Sequence, residues 1–209
     1  DEIAVGRDGH AVWRVELRVG RLAVVAGESG ADRHVAILLA HFGQTRFGMC
    51  HFFNLAGARA VECAHGADAI LVGPGMLNED AIRGFMDEFV RRVADKQLVI
   101  DALALSAVRG GRYRFTEETR VVLTPNVSEM AKTTGTTKAA IEADPRGVAM
   151  TVARDLNAVV ALKGAETFIA TPYGEAFRYS EGEVGLATSG SGDILAGILV
   201  GLLARGATL

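Results

Sequence analysis

The stretch "ADAILVGPGMLNEDAIRGFMDEFVRRVADKQLVIDA", Ala67 to Ala102, decides the fold. Its first apolar run reads as a buried strand, stopped by Gly73-Pro74-Gly75. Asn78 is placed to cap a helix in which Ile82, Phe85, Met86, Phe89 and Val93 keep helical spacing. "QLVIDA", Gln97 to Ala102, is the next strand and ends at Asp101. Strands apolar on both faces, with helices between them, predict an α/β sandwich with a mainly parallel sheet.

Working outward, "RLAVVAG" (Arg21 to Gly27) reads as an earlier buried strand. Glu28 to Gly66 carries no legible element. Downstream, "RVVLTPN" (Arg120 to Asn126) is a strand broken by Pro125, and Ser128 is read as the cap of a short helix stopping near Gly135. Asp144-Pro145 pairs a cap with proline at the first helical position, opening a helix to about Asn157. "AVVALKG" (Ala158 to Gly164) is another strand. "ETFIATPYGEAFRYSEG" predicts a hairpin turning at Pro172-Tyr173-Gly174, and a last helix runs from Asp193 to a glycine cap at Gly206. No linker or composition shift divides residues 1–209, so a single domain is expected.

Composition narrows the class. Apolar residues make up 49% and charged residues 22%, enough to fill a substantial core. A net charge of −3 without a basic run argues against nucleic acid and membrane surfaces. The longest apolar run, Ile194 to Ala204, falls short of the roughly 20 residues a bilayer span needs. Its Gly197 and Gly201 are read as a close helix contact in a core. Cys50 and Cys63 lack metal-ligand spacing and are read as reduced structural thiols. Residues 1–20 are charged throughout and show no signal peptide, and the protein is expected in the cytoplasm.

In such a fold ligands bind beyond the carboxyl ends of the strands. Those ends offer Gly27, Gly73-Pro74-Gly75, Asp101, Thr124-Pro125-Asn126 and Lys163-Gly164, which are expected on one rim. Gly190-Ser191-Gly192-Asp193 adds a glycine-rich turn that opens a helix. Unpaired backbone N–H groups and the helix dipole make that turn an anion site suited to phosphate. Asp193 beside it reads either as a helix cap or as a general base next to a transferring phosphoryl group. Lys163 reads either as a phosphate partner or as a lysine reaching to solvent.

The blocks "VGPG", "LVIDA", "VLTPNVSE", "ALKGAETFIATPYGEAF" and "GLATSGSGDILAGILVGLLARG" together resemble the ADP/ATP-dependent NAD(P)HX dehydratases of the ribokinase-like superfamily. The resemblance covers about Gly73 to Gly206 and implies a ribokinase-like three-layer α/β/α fold. It implies an enzyme that repairs hydrated NADH or NADPH, with ADP or ATP phosphorylating the ring hydroxyl and phosphate then eliminated. On that resemblance Asp193 is the base at the hydroxyl, and Gly190, Ser191 and Gly192 form the anion hole. Lys163, Gly164, Ala165, Glu166, Thr167 and Gly192 line the nucleotide, while Gly75, Asn126 and Asp193 meet the hydrated cofactor. Mg²⁺ is expected with the nucleotide, though the sequence names no ligand for it, and a homo-oligomer is implied.

Two positions depart from the family pattern. Asn126 stands where a histidine is usual, and Leu103 stands where a second carboxylate follows the middle strand. Thr124-Pro125-Asn126 with Glu129 also resembles small-molecule kinases of the superfamily. The alternatives left open are such a kinase, acting on a hydroxymethyl-pyrimidine or sugar, and a non-catalytic nucleotide-binding member.

Overall fold

The computed structural model describes residues 2–5, 12–16, 23–29, 33–39, 64–65, 67–76, 79–109, 113–117, 120–183, 185 and 187–209. Cys50, Cys63, Asn78 and most of the Glu28–Gly66 stretch lie outside the described residues. One sheet carries ten strands in chain order: β1 (Glu2–Val5), β2 (Val12–Glu16), β3 (Ala23–Ser29), β4 (Arg33–Leu39) and β5 (Ala69–Val72), then β6 (Gln97–Ile100), β7 (Val121–Leu123), β8 (Val159–Leu162), β9 (Thr167–Ala170) and β10 (Ala176–Tyr179). The central strands β4 to β8 are parallel. The flanking strands, β1 to β3 on one side and β9 and β10 on the other, run antiparallel to their neighbours.

Strand direction corrects one expectation. Gly27 in β3 pairs with Val35, and Val35 pairs with Ala69, the first residue of β5. Gly27 therefore lies level with the start of β5, at the rim opposite the carboxyl ends of β5 to β8. A strand's composition marks it as buried but does not encode its direction.

Side-chain alternation divides the parallel strands between two cores, since successive residues face opposite sides of a sheet. Ile70, Val72, Leu98, Ile100, Val121, Leu123, Val160 and Leu162 share one core with Ile82, Met86 and Phe89 of helix α1 (Glu79–Arg92). The same core takes Met130 of α2 (Val127–Thr134), Ile141 of α3 (Lys138–Ala143), and Val152 and Leu156 of α4 (Pro145–Leu156). Ala69, Leu71, Val99 and Val122 face the other way, onto Ala196, Val200 and Leu203 of α5 (Ser191–Ala204). Helices thus cover both faces, as a parallel sheet requires. Each fully buried Leu, Ile or Phe contributes about 1.5–3 kcal/mol.

Local signals fix most helix ends. Glu79 and Asp80 open α1, and Arg91 and Arg92 close it, which complements the helix dipole. Asp144 caps α4 through Gly147 N–H, with Pro145 in the first turn, and Asn157 closes it in the left-handed conformation. The cap of α2 is Asn126, not Ser128. Asn126 Oδ1 accepts from Glu129 N at 2.9 Å and Glu129 Oε2 accepts from Asn126 N at 2.8 Å. That reciprocal box needs a Glu or Gln three residues on, and Ser128 has Ala131 there. Helix α3 was not expected at all, because its six residues are too few to show a period.

Helix α5 starts from Gly190, whose φ of 88° is the left-handed value glycine allows. It ends at Gly206, φ 90°, with Gly206 N bonded to Leu203 O and Ala207 N to Leu202 O. Among the described residues its Gly197–Gly201 pair forms no close contact of the kind expected. A Cβ on either glycine would meet nothing within 4 Å among the described residues. Ile194, Ile198 and Leu202 on this helix are 66%, 56% and 50% exposed. None of the described helices is long and apolar enough to cross a membrane.

Candidate functional site

The ends of β5 to β8 build the rim, each delivering one short element. After β5, Gly73 turns at φ 128° and its N-terminal strand comes hard against the end of β6. A Cβ on Gly73 would lie 1.8 Å from the Asp101 carbonyl oxygen, so only glycine fits. Gly75, φ 73°, follows in the same turn and is exposed on the rim.

After β6 comes Asp101, 2% exposed. Its backbone N–H bonds Val72 O at 3.0 Å. Its Oδ1 accepts from Thr124 Oγ1 at 2.7 Å and from Lys163 Nζ at 3.0 Å. The chain then turns through Ala102 at φ 49° into a 3₁₀ helix, Ala102–Ser106. Leu103 packs against the larger core, so no second carboxylate joins Asp101 from this helix.

After β7, Thr124 is fully buried, and Pro125 O accepts from Lys163 N at 2.8 Å. Asn126 is exposed and pairs with Lys163 in a parallel bridge that extends β7 and β8 to the rim. The Asn126 carbonyl oxygen of the side chain is already used in capping α2. Glu129 sits half-buried behind it. Burial lifts the Glu129 carboxyl above its ordinary value; the Asn126 N–H bond and the Lys163 charge pull it down, and Asp101 pushes it up. Glu129 is thus within electrostatic reach of both Asp101 and Lys163.

After β8 comes Lys163, its side chain 20% exposed, followed by Gly164, Ala165 and Glu166 on the outer edge of the rim. Glu166 pairs with Arg178 across the hairpin, and Thr167 opens β9 opposite Tyr179.

The start of α5 closes the cluster. A Cβ on Gly192 would lie 3.3 Å from Lys163 Nζ and 4.0 Å from Asp101 Oδ2. The lysine therefore lies beside the first turn of the helix, with the buried carboxylate near it, and a side chain at Gly192 would crowd the ammonium. Ser191 N is spent on Thr188 O at 3.1 Å, and the first helical bond is Ile194 N to Gly190 O at 3.0 Å. The Gly192 and Asp193 N–H groups, at the second and third helical positions, have no partner within the helix. Of the expected Gly190-Ser191-Gly192 set, Ser191 N–H is thus already spent. Asp193 is exposed at the third helical position and the cap position belongs to Gly190, so its carboxylate complements the helix dipole from the first turn rather than capping the helix.

The structure brings together Lys163, Gly192, Asn126 and the end of β6, and it places Gly75 and Gly164–Thr167 along the same rim. Asp101, Thr124 and Glu129 were underread in the sequence. The one signal for Asp101 was a carboxylate directly after an apolar strand. Among the described residues no group of three or more His, Cys, Asp or Glu is placed to hold a metal ion.

Comparison with known proteins gives a consistent picture. The family model for NAD(P)H-hydrate dehydratase matches residues 31–209. The chain is 42% identical over 154 residues to an ADP-dependent (S)-NAD(P)H-hydrate dehydratase of Xanthomonas campestris, covering 72% of this chain and 50% of that one. It is 38% identical over 165 residues to a bifunctional NAD(P)H-hydrate repair enzyme of Thermofilum pendens, covering 78% and 31%. Among solved structures it is similar to the ADP/ATP-dependent NAD(P)H-hydrate dehydratase of Bacillus subtilis co-crystallised with ATP and Mg²⁺. That match has a TM-score of 0.58 and 31% identity, over 66% of this chain and 47% of that one. A ribokinase-like superfamily protein from Enterococcus faecalis matches with a TM-score of 0.61 and 27% identity, over 73% and 52%. The chain spans about half the length, or less, of the curated relatives it matches.

Proposed function

This chain belongs to the NAD(P)H-hydrate dehydratase family, and from that premise we propose that it restores hydrated NADH or NADPH with ADP or ATP as phosphoryl donor. Hydroxide is a poor leaving group and phosphate a good one. Phosphorylating the ring hydroxyl and then eliminating phosphate turns a hard dehydration into two easier steps. The terminal phosphate of the nucleotide lies at the start of α5, where the Gly192 and Asp193 N–H groups and the helix dipole meet its charge. Lys163 supplies a cation to the cluster, and Lys163 to Thr167 run along the nucleotide. Asp193 takes the proton from the hydroxyl as phosphate is transferred. Gly75 and Asn126 border the hydrated ring, Asn126 through its side-chain N–H groups.

The observation that carries this reading is the contact of Lys163 with the first turn of α5, which sets a cation beside outward-facing N–H donors. Mg²⁺ fits as a companion of the nucleotide rather than a resident of a protein cage. Such an ion is held by one or two carboxylates, with phosphate oxygens and water supplying the rest. Glu129, of which only Oε2 is used in capping α2, is the carboxylate that would hold it, since Asp101 Oδ1 is engaged by Thr124 and Lys163. Bound there, it would neutralise phosphate charge.

The test is to mix the protein with hydrated NADH and ADP or ATP and to follow NADH absorbance. Recovery is expected with at least one nucleotide. No recovery with either, from protein shown to be folded, overturns the proposal. The Asn126–Glu129 box at the rim favours a second reading, a small-molecule kinase using the same phosphoryl site. That reading requires a stable phosphorylated product from a hydroxymethyl-pyrimidine or a sugar, with no phosphate released.

A further inference from the structure

We infer that Asp101 is a positioning residue that acts through Lys163, trading nucleotide affinity for correct placement of the lysine charge. The inference rests on the reading of the rim as a nucleotide site. Four observations carry it. Asp101 is 2% exposed, so its carboxylate has given up water and depends on its partners. Those partners, Thr124 Oγ1 at 2.7 Å and Lys163 Nζ at 3.0 Å, converge on a single oxygen, Oδ1. Its backbone is held close against the end of β5, by the Val72 carbonyl at 3.0 Å and by Gly73, where any Cβ would strike the Asp101 carbonyl at 1.8 Å. The ammonium held in this way lies 3.3 Å from where a Gly192 Cβ would be, beside the first turn of α5.

A free lysine chain samples many rotamers, and its charge would then be spread over several ångströms. Tethered to a buried carboxylate, the ammonium is already beside the place where phosphoryl charge develops. The same carboxylate has an opposing effect on the ground state. It neutralises the lysine and repels the polyphosphate, so it weakens nucleotide binding while it organises transfer. The first glycine of the "VGPG" turn then serves Asp101 rather than a ligand, since it is what lets β5 and the end of β6 come this close.

The two effects have opposite signs and can be separated. Asp101→Asn keeps the shape and the hydrogen-bonding oxygen but removes the charge. Expected is a fall in kcat of roughly 10–100-fold, while the KM for ADP and its calorimetric Kd stay level or fall. In a Lys163→Met background the same change has no further effect on kcat, because the residue through which Asp101 acts is gone. A purely structural role would lower kcat and weaken ADP binding together, in both backgrounds. That result, or a kcat unchanged by Asp101→Asn, overturns the inference.

If Asp101→Asn does not fold, Thr124→Val and Thr124→Ser carry the test. Valine is expected to lower kcat several-fold with the KM for ADP unchanged, and serine to restore it; equal kcat for both overturns the inference. Wild-type protein that binds no ADP by calorimetry sinks the nucleotide reading and this inference with it. Wild-type protein that binds ADP, with binding that weakens on Asp101→Asn, sinks this inference alone.

Discussion

Replacing Gly73 with alanine should damage the molecule out of proportion to one methyl group. The new Cβ would lie 1.8 Å from the Asp101 carbonyl oxygen, whereas real Cβ contacts stay beyond 3.0 Å, so the two strand ends must part by more than an ångström. Asp101 is tied to the end of β5 by Val72 O and on the far side by Thr124 and Lys163, and such a shift breaks at least one of those bonds. Losing a hydrogen bond to a charged group costs about 1.5–3 kcal/mol. Alanine at φ 128° adds backbone strain of about 1–3 kcal/mol. Together they come to about 2.5–6 kcal/mol, which for a chain of this size lowers the melting midpoint by roughly 5–24 °C. Thermal unfolding followed by circular dichroism measures it directly. Gly84→Ala is the control: it lies within α1, its Cβ meets nothing within 4 Å, and the midpoint should rise by about 1–4 °C. A Gly73→Ala midpoint within about 2 °C of wild type would refute the close approach and the fixing of Asp101 that depends on it.

Three further outcomes are expected. Asp193→Asn should lower turnover of hydrated NADH by roughly 10²–10⁴-fold with ADP affinity nearly unchanged, as for a lost general base; undiminished turnover leaves the carboxylate no part in proton transfer. Glu129→Gln should change how stability depends on pH. Because burial raises the Glu129 carboxyl in the folded chain, its favourable contribution is fully present at low pH and is lost as pH rises through the raised value. The glutamine variant keeps the acceptor that caps α2 and should therefore gain on wild type from about pH 4 upward. Melting midpoints that differ by the same amount at every pH would contradict this. Phe89→Ala should cost about 3–5 kcal/mol, since Phe89 is 1% exposed and stacked on Phe85 at 5.0 Å, and a shift in urea midpoint too small to measure would count against that core.

The sequence was most readable where one residue type does one job. Gly73-Pro74-Gly75, Asp144-Pro145 and the hairpin turn at Pro172-Tyr173-Gly174 can each adopt few conformations, and each stands where the sequence puts it. Strands β5 to β8 were legible because burial on both faces leaves unbroken apolar runs. Direction was not legible: nothing local in "RLAVVAG" says that β3 runs against β4, and so Gly27 was assigned to the wrong rim. The cap of α2 was misread because Ser128 and Asn126 are both good caps, and only the reciprocal bond to Glu129 decides between them. Gly197 and Gly201 match a contact motif, but a motif does not reveal whether a partner is present. At the site, Lys163 and Gly192 were legible from their glycine-rich surroundings. Asp101 was harder to place, because its importance lies in partners 23 and 62 residues away in the chain.

The bridge between Asn126 and Lys163 joins the site to the pairing of β7 with β8. If either strand slipped by one residue, its rim group would move about 3.3 Å and its side chain would turn to the opposite face. The core would lose little of its greasiness, since β5 to β8 are apolar on both faces, and a spectroscopic measure of secondary structure would scarcely notice. Lys163 would no longer reach Asp101. Under the proposed function, turnover is thus a finer gauge of correct folding than helix and strand content, and refolded material should be graded by it.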